Sequence, residues 1–198
     1  MFGDFERQAI YDDGRGRELL KACVPHMPSH RLTMNCRNLP RIGFSVNFFS
    51  GLTPGYQKFR RDDDGANPVL LKYVRGEDQS PLLRQAVEAL REESFDLSEI
   101  VVLSPLGAGS VAATTSDPWL KSVLAQADGD TIKKGKIRFS SIQAFKGLEA
   151  PAVIVTDLDR AAVPNFESVL YVGLTRATDR LYGVIEESTG LAGMARNQ

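Results

Sequence analysis

A parallel α/β sheet is the fold class this sequence predicts, and two observations predict it. Short apolar runs alternate with helix-spaced amphipathic segments almost throughout, and the gaps between successive runs have the size of crossover connections. The length of 198 residues corresponds to one domain, or one domain with extensions, and suffices for a substantial core.

The elements follow in order along the chain. Gly16 to Val24 reads as a helix that Pro25 and Pro28 end, and Arg31-Leu32-Thr33-Met34 as a strand. Ile42, Val46 and Phe49 then fall at helical spacing. Residues 51–67 hold Pro54, Gly55, Arg60-Arg61 and Asp62-Asp63-Asp64-Gly65, the composition of an exposed loop or insertion. Pro68 to Val74 reads as a strand, and Ser80-Pro81 opens a helix as cap and first-turn proline. On that helix Leu82, Leu83, Ala86, Val87 and Leu90 share one face, while Arg84, Glu88 and Arg91 occupy the other.

Ile100-Val101-Val102-Leu103 is an apolar run too short for a helix and suited to a strand buried on both faces. Asp117 to Ala127 is expected as a helix carrying Trp119. Lys136 to Ser141 and Ala152 to Thr156 are expected strands, Phe166 to Thr178 a helix, and Arg180 to Ile185 a last strand. Three regions follow: an entering linker over 1–24, one domain over 25–186, and a polar tail over 187–198.

Composition narrows the partners. Lys+Arg 24 against Asp+Glu 25 give a net charge of −1, which excludes a strongly basic arm and requires any nucleic-acid contact to come from a local patch. Cys23 and Cys36 with two histidines form neither a disulfide framework nor a Cys/His metal site, so a reducing cytoplasm is expected. No signal core and no apolar run of membrane-spanning length is present, so no membrane partner is expected.

Four polar blocks, each expected just after a predicted strand, are the candidate sites, because ligands of open parallel sheets meet the loops at the carboxyl ends of strands. They are Gly3 to Tyr11, Asn35-Cys36-Arg37-Asn38, Ser141 to Glu149, and Tyr171 to Ala177. The planar guanidinium groups of Arg37 and Arg176 suit bidentate phosphate contact, or alternatively surface salt bridges. Gln8 suits orienting a water or touching a terminal phosphate, and Glu149 suits a ribose hydroxyl; the plainer readings are a loop residue and a solvated charge. A phosphate cradle of the Gly-x-x-x-x-Gly-Lys-Ser/Thr type is not present. Gly129 to Ile137 has five residues between its glycines and an isoleucine in place of the hydroxyl.

In this order the four blocks resemble the C-terminal half of UvrD/Rep-like superfamily 1 DNA helicases. The weightiest parts are Phe145-Lys146-Gly147-Leu148-Glu149 before an apolar strand, and Leu170-Tyr171-Val172-Gly173-Leu174-Thr175-Arg176-Ala177 followed by Arg180-Leu181-Tyr182. The resemblance implies a second RecA-like domain, P-loop NTPase-like in fold but without its own P-loop. It implies ATP hydrolysis in a cleft shared with a first domain that carries the P-loop and holds Mg2+. By matching positions, Gln8 senses the γ-phosphate, Arg37 and Arg176 contact it, and Gly147 and Glu149 lie at the nucleotide, with Glu149 on the ribose. Ser141 and Gln143 lie toward single-stranded or partly duplex DNA.

Departures are visible too. Cys36 stands where the family places an aromatic, Asp13 where an aromatic stacks on a base, and Gln143 where a histidine is usual. The 103 residues between Arg37 and Ser141 leave room only for a small insertion. Lys133, Lys134 and Lys136 lead into the DNA-facing block and are expected either as DNA backbone contacts or as a solvated loop. The expected function is a helicase or translocase motor half, inactive alone; the alternative is a non-catalytic nucleic-acid or protein binding module derived from such a half. The chain begins inside the first block, so a truncated two-domain machine is the expectation.

Overall fold

The computed structural model describes residues 22–23, 26, 33–53, 55–126 and 134–190. Gln8, Lys133 and most of the helix expected over 16–24 lie outside these residues, although Ala22 and Cys23 are helical. In chain order the elements are β1 Met34–Asn35, α1 Pro40–Ser50, β2 Lys58–Phe59, β3 Val69–Tyr73, α2 Ser80–Glu92 and β4 Ile100–Ser104. There follow α3 Val111–Thr114, α4 Pro118–Val123, β5 Leu124–Gln126, β6 Ile137–Ser141, β7 Ala150–Leu158, α5 Phe166–Leu174 and β8 Ala177–Glu186.

Six strands form one sheet in the order β3-β8-β7-β4-β6-β5, and every neighbouring pair is parallel. The predicted fold class holds. Side-chain alternation along the strands builds two cores, one on each face. Val101, Leu103, Val153 and Val155 pack toward α1 and α5. Ile100, Val102, Ala152 and Ile154 pack toward α2, α3 and α4. The central strands are apolar on both faces because helices cover both. Each fully buried Ile or Leu among them contributes roughly 1.5–3 kcal/mol of burial free energy.

Local chemistry explains where the helices stop. Gly51 ends α1 in the left-handed region at φ 61°, and its N–H reaches the Asn47 and Phe48 carbonyls. Pro81 sits in the first turn of α2 as expected, but the cap position is Gln79 and Ser80 is already helical. The helix expected over 117–127 is shorter than its pattern suggests. Asp117 caps it by accepting from the Leu120 N–H, yet it ends at Val123, and Leu124–Gln126 pair with Ile137–Phe139 as the edge strand. Pairing with an available sheet edge overrides helical spacing there. Likewise α5 stops at Leu174 rather than Thr178, because Ala177 already pairs with Ala150 in the sheet.

The stretch 51–67 is only partly the exposed loop that its composition predicts. Asp62, Asp63, Asp64 and Gly65 are exposed. Before them Lys58–Phe59 pairs in parallel with Met34–Asn35, and the Phe59 ring lies 4.8 Å from that of Phe44. Arg41 pairs with Asp63, and Arg180 with Asp64. This segment is therefore fastened over the Asn35 block. No helix among the described residues is long and apolar enough to cross a membrane.

Candidate functional site

The site starts with the turn after β1. Asn35 accepts, at its Oδ1, the backbone N–H groups of Arg37 at 2.9 Å and Asn38 at 3.0 Å, an Asx-type turn that a strand-ending asparagine favours. This turn aims the Arg37 side chain across to Glu149, whose carboxylate accepts from Arg37 Nε at 2.7 Å. Glu149 immediately precedes β7, and Gly147, at φ 94°, makes the turn before it. Arg176 immediately precedes β8, the neighbour of β7. Arg37, Glu149 and Arg176 thus converge at the amino ends of the neighbouring strands β7 and β8. Among the described blocks the second follows β1 and the third starts at the carboxyl end of β6, whereas the fourth lies in α5 and at the amino end of β8, so the expectation that every block follows a strand is corrected for the fourth. The link from Gln143 to Glu149 returns along the sheet, with Phe145 buried beneath it.

Arg176 is buried, 2% exposed, and its guanidinium is held by oxygens of neutral groups. Nε donates to the Val172 carbonyl at 2.9 Å and Nη1 to the Leu148 carbonyl at 3.2 Å; Nη2 donates to the Thr175 hydroxyl at 2.9 Å. Among the described residues no carboxylate lies within ion-pair distance of it. Burial pulls its pKa below the ordinary arginine value, and the nearby charge of Arg37 lowers it further. The charge of Arg37 acts on the desolvated Arg176, and an anion near both would relieve that repulsion.

A cleft of about 590 Å³ opens beside Arg37 and Glu149, lined also by Cys36, Asn38, Arg61 and Asp179, among others; the buried Arg176 is not part of its lining. Arg61 closes one wall. It donates to the Thr178 carbonyl at 2.8 Å and the Arg37 carbonyl at 3.2 Å, and pairs with Asp179. Tyr56 closes another, its hydroxyl 2.8 Å from that of Tyr171 on α5. Sequence reasoning placed Arg61 in a solvated loop and gave Tyr56 no role. The Asn35-x-x-Asn38 spacing was the one signal that this turn is built rather than incidental.

The DNA-facing candidates lie at the other end of the sheet. Ser141 ends β6, and its hydroxyl accepts from the Ala144 N–H at 3.1 Å. Gln143 is half-buried and lines a second cleft of about 400 Å³ with Pro105, Leu106, Val163, Pro164 and Val169. The lysines do not join them. Lys136 precedes the first residue of β6 and its ammonium donates to the Ser122 carbonyl. Lys134 is exposed nearby, and Lys136 itself stands five residues, or ~16 Å of strand, from Ser141.

Residues 136–184, the span of β6, β7, α5 and most of β8, match the family model of the UvrD-like helicase C-terminal domain. Comparison with curated protein sequences gives no match. Among solved structures, the chain is similar to the C-terminal domain of a possible DNA helicase from Lactobacillus plantarum WCFS1. The TM-score is 0.53 and the identity 17%, over 77% of this chain and 88% of the other. At that identity the likeness speaks to fold, and it agrees with a RecA-like parallel sheet. The matched segment contains Glu149 and Arg176 and builds much of the sheet on which they meet, so the part of the chain that holds these two residues is the part similar to the UvrD-like helicase C-terminal domain.

Proposed function

We propose that this chain is the second motor domain of an ATP-dependent DNA helicase or translocase. It supplies Arg37 and Arg176 to the γ-phosphate of an ATP held by a partner domain with the P-loop. The observation that supports this most is Arg176 itself. A buried guanidinium with no carboxylate partner among the described residues is costly to keep, and the charge it shares with Arg37 suits an anion brought to the cleft. Phosphoryl transfer is catalysed chiefly by charge placement around the γ-phosphate, where an arginine finger is worth ~10³-fold or more.

In this reading Gly147 lets the chain turn so that Glu149 faces the ribose, and Gln8 contacts the γ-phosphate. Arg37 leaves Glu149 for the phosphate when nucleotide binds. Mg2+ belongs to the P-loop half, which supplies its ligands. Ser141 and Gln143 face single-stranded or partly duplex DNA at the carboxyl end of β6, with Lys134 as a backbone contact at its amino end and Lys133 as a further backbone contact. Lys136, engaged with Ser122, contributes less than sequence order suggests.

The test is steady-state ATP hydrolysis with and without single-stranded DNA. The 198 residues alone are expected to give negligible turnover, and fusion behind a P-loop half is expected to give DNA-stimulated turnover. Robust magnesium-dependent hydrolysis by the 198 residues alone overturns the reading.

A further inference from the structure

We propose that Asn38 is the positioning residue that sets Arg37 and Arg176 relative to one another; this deepens the reading of the cleft as an anion site and rests on it. Asn38 is 1% exposed and Asn35 is 4% exposed. All the amide capacity of Asn38 goes to the two arginine-bearing segments. Its Nδ2 donates to the carbonyl of Thr175 at 3.2 Å and to that of Ala177, the residues on either side of Arg176. Its Oδ1 accepts from Asn35 Nδ2 at 2.8 Å, and Asn35 Oδ1 in turn accepts the backbone N–H groups of both Arg37 and Asn38.

The remaining carbonyl of that stretch, Arg176 O, accepts from Ala150 N–H at 3.0 Å, so the peptide path through Arg176 is held at three successive carbonyls. Two of the three depend on one side chain. A continuous set of hydrogen bonds therefore runs from the Arg37 amide through Asn35 and Asn38 to the peptides flanking Arg176, between segments 137 and 139 residues apart. No other side chain type supplies this set. Serine or alanine lacks the two donors, and aspartate presents oxygens to two carbonyls, which burial penalises. The chemistry explains why an asparagine fills this buried place where an apolar residue would serve a purely structural packing role.

The test uses the full 198-residue chain and the Nε–Hε signals of its arginines in nitrogen-15 spectra, assigned with Arg37→Lys and Arg176→Lys. In the native chain the Arg176 signal is expected to exchange slowly with water, and titrated inorganic pyrophosphate is expected to move Arg37 and Arg176 with a common midpoint. In Asn38→Ala, with backbone amide signals away from residues 33–41 and 172–179 unchanged, the Arg176 Nε–H is expected to exchange at least tenfold faster. The two midpoints are expected to separate at least threefold. Compared at each pH with the native chain, Asn38→Asp is expected to lose as much protection as Asn38→Ala at pH 8 and to lose less than Asn38→Ala at pH 5, where a protonated carboxyl returns one donor.

A folded Asn38→Ala chain with both arginine signals unaltered overturns the proposal. If Asn38→Ala does not fold, Asn35→Ala is read in the same way, and failure of both to fold makes the pair a scaffold and overturns it as well. If pyrophosphate moves neither arginine in the native chain, the anion reading of the cleft fails, while the ligand-free exchange of Arg176 still decides the role of Asn38.

Discussion

Arg37 Nε lies 2.7 Å from a carboxylate oxygen of Glu149, joining segments 112 residues apart across the mouth of the cleft. The side chains are 38% and 55% exposed, so water screens the pair and competes for both groups. Bridges of this kind contribute ~0.2–1 kcal/mol. Their exposure also makes the pair easy to open, which the proposed exchange of Glu149 for a phosphate on Arg37 requires.

Glu149→Gln is therefore expected to lower the unfolding midpoint by no more than about 4 °C, measured by differential scanning calorimetry. In a complete helicase it is expected to raise KM for ATP more than it lowers kcat. A collapse of the fold in this variant would make Glu149 a structural anchor instead of a ligand group.

Gly43 on α1 faces the Phe59 ring so closely that a Cβ there would stand 2.1 Å from Cε1 and 3.2 Å from Asn35 Nδ2. Since Phe59 packs on Phe44 and lies near Tyr56, it has little room to yield. Gly43→Ala is expected to cost about 1–3 kcal/mol in urea unfolding and to loosen the 58–61 wall, read as faster alkylation of Cys36 by a maleimide in a Cys23→Ser background. Unchanged stability would show that β2 is not anchored where the structure has it.

Acid should weaken the fold through a defined set of carboxylates. The Arg75 hydrogen bond holds Asp159 below the ordinary aspartate value; backbone N–H groups do the same, Leu120 first for Asp117 and Gly65 first for Asp63. For groups lowered on folding, the stabilisation is fully present above the unfolded value and is lost as pH falls through the native one. Thermal midpoints are expected to hold from neutrality to the ordinary aspartate range and to drop below it, with a shallower drop in Asp159→Asn. At the other end, burial, aided by the Asp159 charge, pushes Tyr73 up to about 12. Its contribution holds below the ordinary tyrosine value and is lost as pH rises toward 12. A midpoint that climbs on acidification would contradict this assignment.

Much of this was legible in the sequence because its signals are local. The run Ile100–Leu103 announced a doubly covered strand, and the apolar face of α2 announced a helix lying on a sheet. The order of motifs around Glu149 and Arg176 pointed to the same family whose model matches residues 136–184. What was not legible depends on distant partners. Leu124–Gln126 becomes a strand only because β6 offers an edge. Arg61 turns inward only because the carbonyls of Arg37 and Thr178 wait there. The distance between Lys136 and the Ser141 block was hidden for a simpler reason: neighbours in sequence along a strand end up at opposite ends of a sheet.

The central claim, that Arg176 is kept buried for an incoming phosphate and not for the fold, is tested most directly by Arg176→Met in a helicase that includes the P-loop half. Methionine fills similar space without the desolvated charge. ATP turnover under saturating DNA is expected to fall ~10³-fold, while the unfolding midpoint stays within about 4 °C of the native value. Retention of turnover, or loss of the folded state, would contradict the account.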